Sequence, residues 1–150
     1  MRATPVAALA VAALLTPLAG CAQAGDTPTV ADATAPSAVQ VVLTKSGGIA
    51  GLADTVTVRP DGHWTRVDRS GASRTGQLTG PDLDKLRQLA TDPRLASEAT
   101  TTAPATMCAD AFTYRLTVGE TTSGYVDCPP QATPPAATGA VVELLNRVTG

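Results

Sequence analysis

The sequence predicts an α+β fold in which an antiparallel sheet of four or five strands is packed by two helices within one domain. Short segments with alternating apolar residues recur between turn residues, which is the pattern of antiparallel strands joined by hairpins. Two other stretches carry apolar residues at helical spacing. Two of the three cysteines flank the last predicted hairpin, so a disulfide would link its open end.

The first predicted strands follow residue 38. Residues 39–44 are mostly apolar and β-branched, and residues 55–59 alternate strictly between polar residues and valine. Residues 60–62, Pro-Asp-Gly, form a turn, because proline presets φ and glycine accepts a positive φ. Residues 63–68 are then the hairpin partner of the second strand, and residues 74–78 follow after a further turn.

The pattern changes to helical spacing after residue 78. Residues 79–82, Thr-Gly-Pro-Asp, resemble a capping box, with proline near the first helical position and an acid at the third. Asp92-Pro93 ends this helix, because the residue before a proline is disfavoured in the α region. A second helix forms the C-terminus. The apolar stripes of the two helices consist of Leu83, Leu86, Leu89 and Ala90, and of Ala137, Val141, Leu144, Leu145 and Val148.

The clearest strand covers residues 112–118, where large apolar side chains stand at every second position. Residues 119–124 turn the chain into a returning strand at residues 125–127. Cys108 precedes the first strand of this hairpin, and Cys128 follows the second. The hairpin therefore brings the two cysteines together, and a disulfide that closes about twenty residues contributes on the order of 3 kcal/mol to stability.

Residues 1–20 have the features of a lipoprotein signal peptide. After Arg2, residues 5–19 are apolar but too short to span a membrane comfortably. They lead into Leu18-Ala19-Gly20-Cys21, which resembles the lipobox of bacterial lipoproteins, so Cys21 would receive a diacylglyceryl group before cleavage at its amino side. Ordinary secretion is the alternative, since Ala22-Gln23-Ala24 also fits a cleavage site with small residues.

The predicted signal peptide sets the first boundary in the domain organisation. Residues 1–20 are the signal peptide, residues 21–38 hold the lipid-bearing cysteine and a flexible tether rich in Ala, Thr and Pro, and residues 39–150 form one domain. With Cys21 lipidated, the other two cysteines form an even pair in an oxidising compartment. The expected location is the extracytoplasmic face of the cell membrane, with the lipid bilayer as a partner. The heavy use of Ala, Thr and Arg is typical of an actinobacterium.

Composition and motifs argue against several kinds of chemistry. No basic patch suggests nucleic acid as a partner. No CxxC pair accompanies the single histidine, His63, so neither a metal site nor a cofactor is predicted. No G-x-S-x-G motif supplies a nucleophile for that histidine. Asp110 and Asp127 flank one hairpin, but solvated aspartates at strand ends are the simpler interpretation, and the chain is not predicted to be an enzyme.

A glycine-rich stretch, SGGIAGL at residues 46–52, follows the first strand. It lacks the order of a Walker loop, whose lysine follows the glycines, and it lacks the order of a dinucleotide-binding motif. Three interpretations remain open. The stretch is an anion-binding nest of backbone amides, a loop or bulge in which Gly47 or Gly48 has a positive φ, or a recognition loop whose glycines allow close approach to a partner.

The predicted domain resembles the emfourin family, which comprises proteinaceous inhibitors of protealysin and related thermolysin-like metallopeptidases. The matching residues are Ser46-Gly47-Gly48-x-x-Gly51-Leu52, a leucine-rich helix at residues 83–89, and Asp110-x-Phe112-x-Tyr114-x-Leu116-Thr117-Val118 followed by Asp127 and an apolar helix. The resemblance implies a non-enzymatic binding module that inhibits or regulates a secreted metallopeptidase. The contact it favours is the loop formed by Ser46, Gly47, Gly48, Gly51 and Leu52.

Two other functions are compatible with the residues. An envelope lipoprotein that binds another exported protein, with no peptidase target, would show the same tether and domain. A small hydrolase would need His63, so it would lose turnover in His63→Ala. The lipobox and the cysteine pair depart from the resembled inhibitors and indicate adaptation to export.

Overall fold

The computed structural model describes residues 39–100, 108–130 and 132–150. The predicted signal peptide (residues 1–20), Cys21 and the predicted tether (residues 21–38) lie outside these residues. None of the helices in the described part of the chain is long and apolar enough to cross a membrane.

The described residues form an α+β domain built on one antiparallel sheet of six strands, rather than the four or five predicted. The strands are β1 (Val41–Gly47), β2 (Leu52–Val58), β3 (His63–Val67), β4 (Ser73–Gln77), β5 (Phe112–Val118) and β6 (Thr121–Asp127). Their order across the sheet is β4-β3-β2-β1-β5-β6, and every neighbouring pair is antiparallel.

The predicted count of strands was too low because two of the six are polar and gave weak signals, although extended segments were predicted at residues 74–78 and 125–127. β6 begins inside residues 119–124, which were predicted to be a turn, since threonine, serine and glycine show no apolar alternation there. Pairing with β5 nevertheless continues through this segment, and Thr122 lies opposite Thr117. β4 is an exposed edge strand without a large apolar residue. In both strands, a neighbour that supplies backbone partners compensates for a weak local signal.

Three helices pack on the sheet, whereas two were predicted: α1 (Gly80–Ala90), α2 (Arg94–Ala99) and α3 (Ala136–Thr149). The additional helix, α2, starts directly after Pro93, which was predicted to end the preceding helix. It has six residues, which is too short for an apolar period to be recognised. α1 begins as predicted, because the Asp82 N–H donates to the Thr79 side chain at 3.3 Å.

The core lies between the sheet and the helices. Side chains at alternate positions of β1, β2 and β5 point toward the helices, and α3 contributes much of the facing surface. The predicted stripe of the C-terminal helix is confirmed, with Val148 half-buried against the same core, and Leu86 is the buried residue of the α1 stripe. The buried residues of the central layer are Val41, Leu43, Val56, Val58, Leu116, Val118, Ala137, Val141, Val142, Leu144 and Leu145.

The N-terminus of α3 is capped by a side chain from α2. The Glu98 carboxylate accepts hydrogen bonds from the N–H groups of Ala137 and Thr138, at 2.9 and 2.8 Å, and from Thr138 Oγ1 at 2.7 Å. Burial raises the pKa of Glu98, but these hydrogen bonds and the charge of Arg94 outweigh burial, so the pKa is lowered overall. A charged acceptor thus meets the N–H groups that every helix start leaves unpaired.

The C-terminus of α3 is held from the sheet. Arg66 of β3 donates to the Thr149 carbonyl at 3.2 Å and forms an ion pair with the buried Asp54 carboxylate of β2 at 2.6 Å. The guanidinium therefore joins two strands to the last turn of the helix. The carbonyl groups there have no partner within the helix, and a positively charged donor stabilises them.

Cys108 and Cys128 lie at disulfide distance, with Cα atoms 6.0 Å apart. Phe112 is opposite Asp127 at the adjacent end of the β5–β6 hairpin. The pair thus closes the open end of that hairpin, as the sequence predicted.

The antiparallel order places several connections at one end of the sheet. The β1–β2 connection, the β3–β4 turn and the residues before β5 lie at this end, since each strand reverses the direction of its neighbour. The β2–β3 and β5–β6 turns lie at the opposite end. Residues 46–52, which join β1 to β2, are called the glycine loop below.

Candidate functional site

The glycine loop reverses the chain in a tight turn, in which the Gly51 N–H donates to the Gly48 carbonyl at 2.9 Å. The φ angles of Gly47, Gly48 and Gly51 are +96°, +72° and +58°, in the left-handed region that glycine adopts without strain. The sequence predicted a positive φ at Gly47 or Gly48, and both residues have one. The turn therefore depends on glycine at three positions.

The first two glycines also permit close packing against the start of β5. A Cβ atom on Gly47 would overlap the carbonyl oxygen of Ala111, and one on Gly48 would lie 2.5 Å from Cε1 of Phe112. The Gly48 N–H donates to the same Ala111 carbonyl at 3.3 Å. The two glycines thus allow the loop to approach its own scaffold, and this packing fixes the first half of the loop.

The tip of the loop is fixed by the β3–β4 turn. Nη1 of Arg69 donates to the carbonyl oxygens of Ala50 and Gly51, at 2.7 and 3.1 Å. Hydrogen bonds from a charged donor are stronger than neutral ones, and the guanidinium group is planar and rigid. The loop backbone is therefore held at two places, by the start of β5 and by Arg69.

A carboxylate orders the turn that carries Arg69. Asp68 accepts hydrogen bonds from the N–H and Oγ of Ser70, at 2.8 and 2.6 Å, and from the Ala72 N–H at 3.1 Å. The Ser70 hydroxyl lowers the pKa of Asp68 against a smaller effect of burial, and the backbone donors lower it further. Asp68 consequently stays ionised, and keeps these acceptors, to more acidic pH than an ordinary aspartate.

Ile49 stands at the tip of the glycine loop and is 90% exposed, although it is a large aliphatic residue. Among the described residues, Val67 is the other exposed large apolar residue, at 38%. A single exposed apolar residue needs no functional explanation by itself. Ile49, however, is presented by a backbone that is fixed at two places, which makes the loop tip a candidate contact surface.

The structure brings the residues predicted to contact a partner into this one loop. Ser46 and Gly47 end β1, and Leu52 begins β2 opposite Gly47. Ser46 and Leu52 are half-buried, so the accessible part of the loop is residues 49–51. The glycines shape the loop, and its tip presents the surface.

Sequence reasoning missed Ile49 and Arg69. Ile49 occupies an unspecified position between the glycines, and its exposure follows from the turn geometry. Arg69 is 19 residues from Ala50 and 18 from Gly51. The alternation of antiparallel hairpins was the available signal, because it places the first and third connections at the same end of a sheet.

The histidine considered for catalysis lies at the opposite end of the sheet from the two aspartates. His63 begins β3 at the opposite end of the sheet from the glycine loop, where its backbone N–H donates to Asp61 at 2.9 Å. Asp127 ends β6, and Asp110 precedes β5 with a φ of +59°. Within residues 39–100, 108–130 and 132–150, no group of three or more His, Cys, Asp or Glu side chains could hold a metal ion.

Comparison with known proteins assigns the domain to a family. The family model of emfourin matches residues 43–149, which include the glycine loop, the sheet from β1 onward and α3. No curated protein matches the chain. Emfourins inhibit metallopeptidases, which is consistent with a protein that is not an enzyme. The chain therefore belongs to the emfourin family, and its domain is protease-inhibitor-like.

Proposed function

We propose that this protein is a lipid-anchored inhibitor or regulator of a secreted thermolysin-like metallopeptidase, and that the glycine loop contacts the enzyme. Membership in an inhibitor family supports the general activity. The observation that carries the proposed contact is the loop itself, because its backbone is fixed at two places while its tip is exposed.

A fixed loop suits an inhibitor for an energetic reason. Ordering a flexible segment at an interface costs about 0.5–1.5 kcal/mol for each immobilised side chain, in addition to the backbone cost. In the glycine loop, hydrogen bonds from Gly48, Gly51 and Arg69 already define the backbone in the free protein. The same bonds oppose the extended conformation of a substrate, so the loop can occupy a cleft and resist cleavage.

The proposed anchor would hold this domain at the outer face of the membrane. Cys21 lies outside the described residues, and the proposal rests on the lipobox sequence Leu18-Ala19-Gly20-Cys21. Acyl chains contribute about 0.8 kcal/mol for each buried methylene, so two or more chains give stable attachment. The chain enters β1 at Val41, at the end of the sheet opposite the glycine loop. The glycine loop therefore lies at the other end of β1 from the residue at which the chain enters the sheet.

Two exposed alanines provide matched variants to test the contact. Ala50→Glu places a charge at the loop tip, and Ala96→Glu places the same charge on α2. We expect Ala50→Glu to raise the inhibition constant at least about tenfold, because a carboxylate would have to lose its water in the cleft. Ala96→Glu should leave that constant unchanged. Initial rates of peptide cleavage at increasing chain concentrations give both values.

The outcomes separate the contact from the activity. Equal inhibition by the two variants would contradict the assignment of the loop. No inhibition by the unaltered chain, across several thermolysin-like peptidases, would contradict the proposed function and favour an envelope-interaction lipoprotein instead.

A further inference from the structure

We propose further that Ile49 anchors the contact by entering a pocket of the peptidase cleft that accepts an aliphatic substrate side chain, and that Arg69 positions it. This inference rests on the proposed function. It names the chemistry of the subsite that the loop would occupy and a residue that acts through the loop backbone.

The composition of the loop tip favours an apolar pocket as its partner. Within residues 47–51, Ile49 is the one side chain larger than a methyl group. Its neighbours form a narrow stem, so the isoleucine protrudes without a bulky residue beside it. No charged residue occurs between Lys45 and Asp54, so the side chains of the loop itself offer no ion pair to a partner. A concave, mostly apolar pocket is the complement of such a surface.

Ile49 would enter this pocket at a low entropic cost. An isoleucine is β-branched and stiff at χ1, so few rotamers are lost when it is buried. It is 90% exposed in the free protein, so nearly all of its apolar surface remains to be removed from water. Burial of such a side chain corresponds to about a 10- to 100-fold gain in affinity.

Arg69 is a positioning residue in this arrangement, because it reaches the backbone beside Ile49. It is the charged donor to the carbonyl groups of Ala50 and Gly51, which directly follow Ile49. Glycines at both sides of the tip would otherwise allow many backbone conformations. Without Arg69, the loop can extend along the cleft as a substrate does. We therefore expect the loss of Arg69 to turn a resistant loop into a cleavable one.

The role of Ile49 is tested by shortening its side chain. Ile49→Ala should raise the inhibition constant about 10- to 100-fold, whereas Ile49→Val, which removes one methylene, should raise it about fourfold. Val67→Ala is the matched control, since Val67 is the other exposed large apolar residue of the described chain, and it should leave inhibition unchanged. All three variants should unfold at nearly the urea concentration of the unaltered chain, because both residues are exposed.

The role of Arg69 is tested by cleavage as well as by affinity. Incubation of Arg69→Ala with the peptidase should produce cuts within residues 48–51, detected by intact mass, and weaker inhibition. Arg69→Lys keeps one charged donor and should be cleaved more slowly than Arg69→Ala. Arg59→Ala, in the turn after β2 at the opposite end of the sheet, should remain uncut. A purely structural role of Arg69 would lower the unfolding midpoint without directing cleavage to the loop.

The failures are distinguishable. If the unaltered chain inhibits and Ile49→Ala inhibits equally well, the anchor is wrong while the proposed function stands. If Arg69→Ala is uncut and fully inhibitory, the positioning role of Arg69 is wrong. If the unaltered chain inhibits no such peptidase, the proposed function fails, and the anchor fails with it.

Discussion

Alanine substitutions at Gly47 and Gly71 distinguish two reasons why a turn of this protein needs glycine. One reason is the positive φ angle, and the other is the lack of space for a Cβ atom. The φ angles of these residues are similar, +96° and +84°. A Cβ atom on Gly71 meets nothing within 4 Å, whereas one on Gly47 overlaps the carbonyl oxygen of Ala111. The two substitutions should therefore carry a similar penalty for the left-handed backbone, and only Gly47→Ala should add a steric overlap.

The expected magnitudes follow from these two terms. A left-handed backbone costs alanine about 1–2 kcal/mol, and the reduced entropy of the unfolded chain offsets about 0.4–1 kcal/mol of that cost. Gly71→Ala should therefore lower the free energy of unfolding by about 1 kcal/mol. Gly47→Ala adds a backbone overlap of about 1–3 kcal/mol and weakens the Gly48 hydrogen bond to Ala111, worth about 0.5–1.5 kcal/mol. Its total cost should be about 2.5–5.5 kcal/mol.

Urea unfolding of the oxidised protein, followed by circular dichroism, measures both free energies if the slope against urea is the same for the variants. The unaltered chain is the reference for each. If Gly47→Ala is no more destabilising than Gly71→Ala, the glycine loop does not pack on the start of β5 as described.

Three further predictions concern the helix cap, the cysteines and the anchor. Glu98→Gln should lower the free energy of unfolding by about 1–2 kcal/mol at neutral pH, because the start of α3 loses a charged acceptor. The folded-state pKa of Glu98 is lowered, so its contribution is present above the ordinary glutamate pKa and lost as the pH falls through the lower folded value. Urea unfolding of both proteins should therefore converge in acid, and parallel pH curves would contradict the cap. Replacing Cys108 and Cys128 by serine should cost on the order of 3 kcal/mol, and an unchanged unfolding midpoint would mean that their bond does not stabilise the hairpin. Cys21→Ser should move the protein from the membrane fraction to the soluble fraction of expressing cells, and its retention in the membrane would argue against lipid anchoring.

Local patterns were sufficient to locate the elements that form the core. β5 was recognisable because burial on one face of a strand imposes a period of two, and α3 because burial on one face of a helix imposes a period of about 3.6. The proximity of Cys108 and Cys128 was predicted from the hairpin that β5 begins. In each case the signal lies within a few residues of the element that it predicts.

The missed features depend on contacts between distant segments. Glu98 caps a helix by binding the N–H of Ala137, which lies 39 residues later, and Arg69 binds the carbonyl of Gly51, which lies 18 residues earlier. The polar residues of β6 form a strand because β5 supplies their backbone partners. The sequence predicted the glycine loop but not the exposed residue at its tip, for the same reason. Its glycines were visible in the sequence, but the exposure of Ile49 depends on how the turn folds against β5 and Arg69.

The most direct test of inhibition is to titrate a fixed concentration of a thermolysin-like metallopeptidase with the oxidised chain. Peptide cleavage is followed until the rate is constant, and the mixture is then separated by size and analysed by intact mass. We predict that activity falls in proportion to the added chain and is lost near one equivalent, with uncut chain co-eluting with the enzyme. Unchanged activity at excess chain, or a chain that is cleaved while the enzyme stays active, would contradict the proposal.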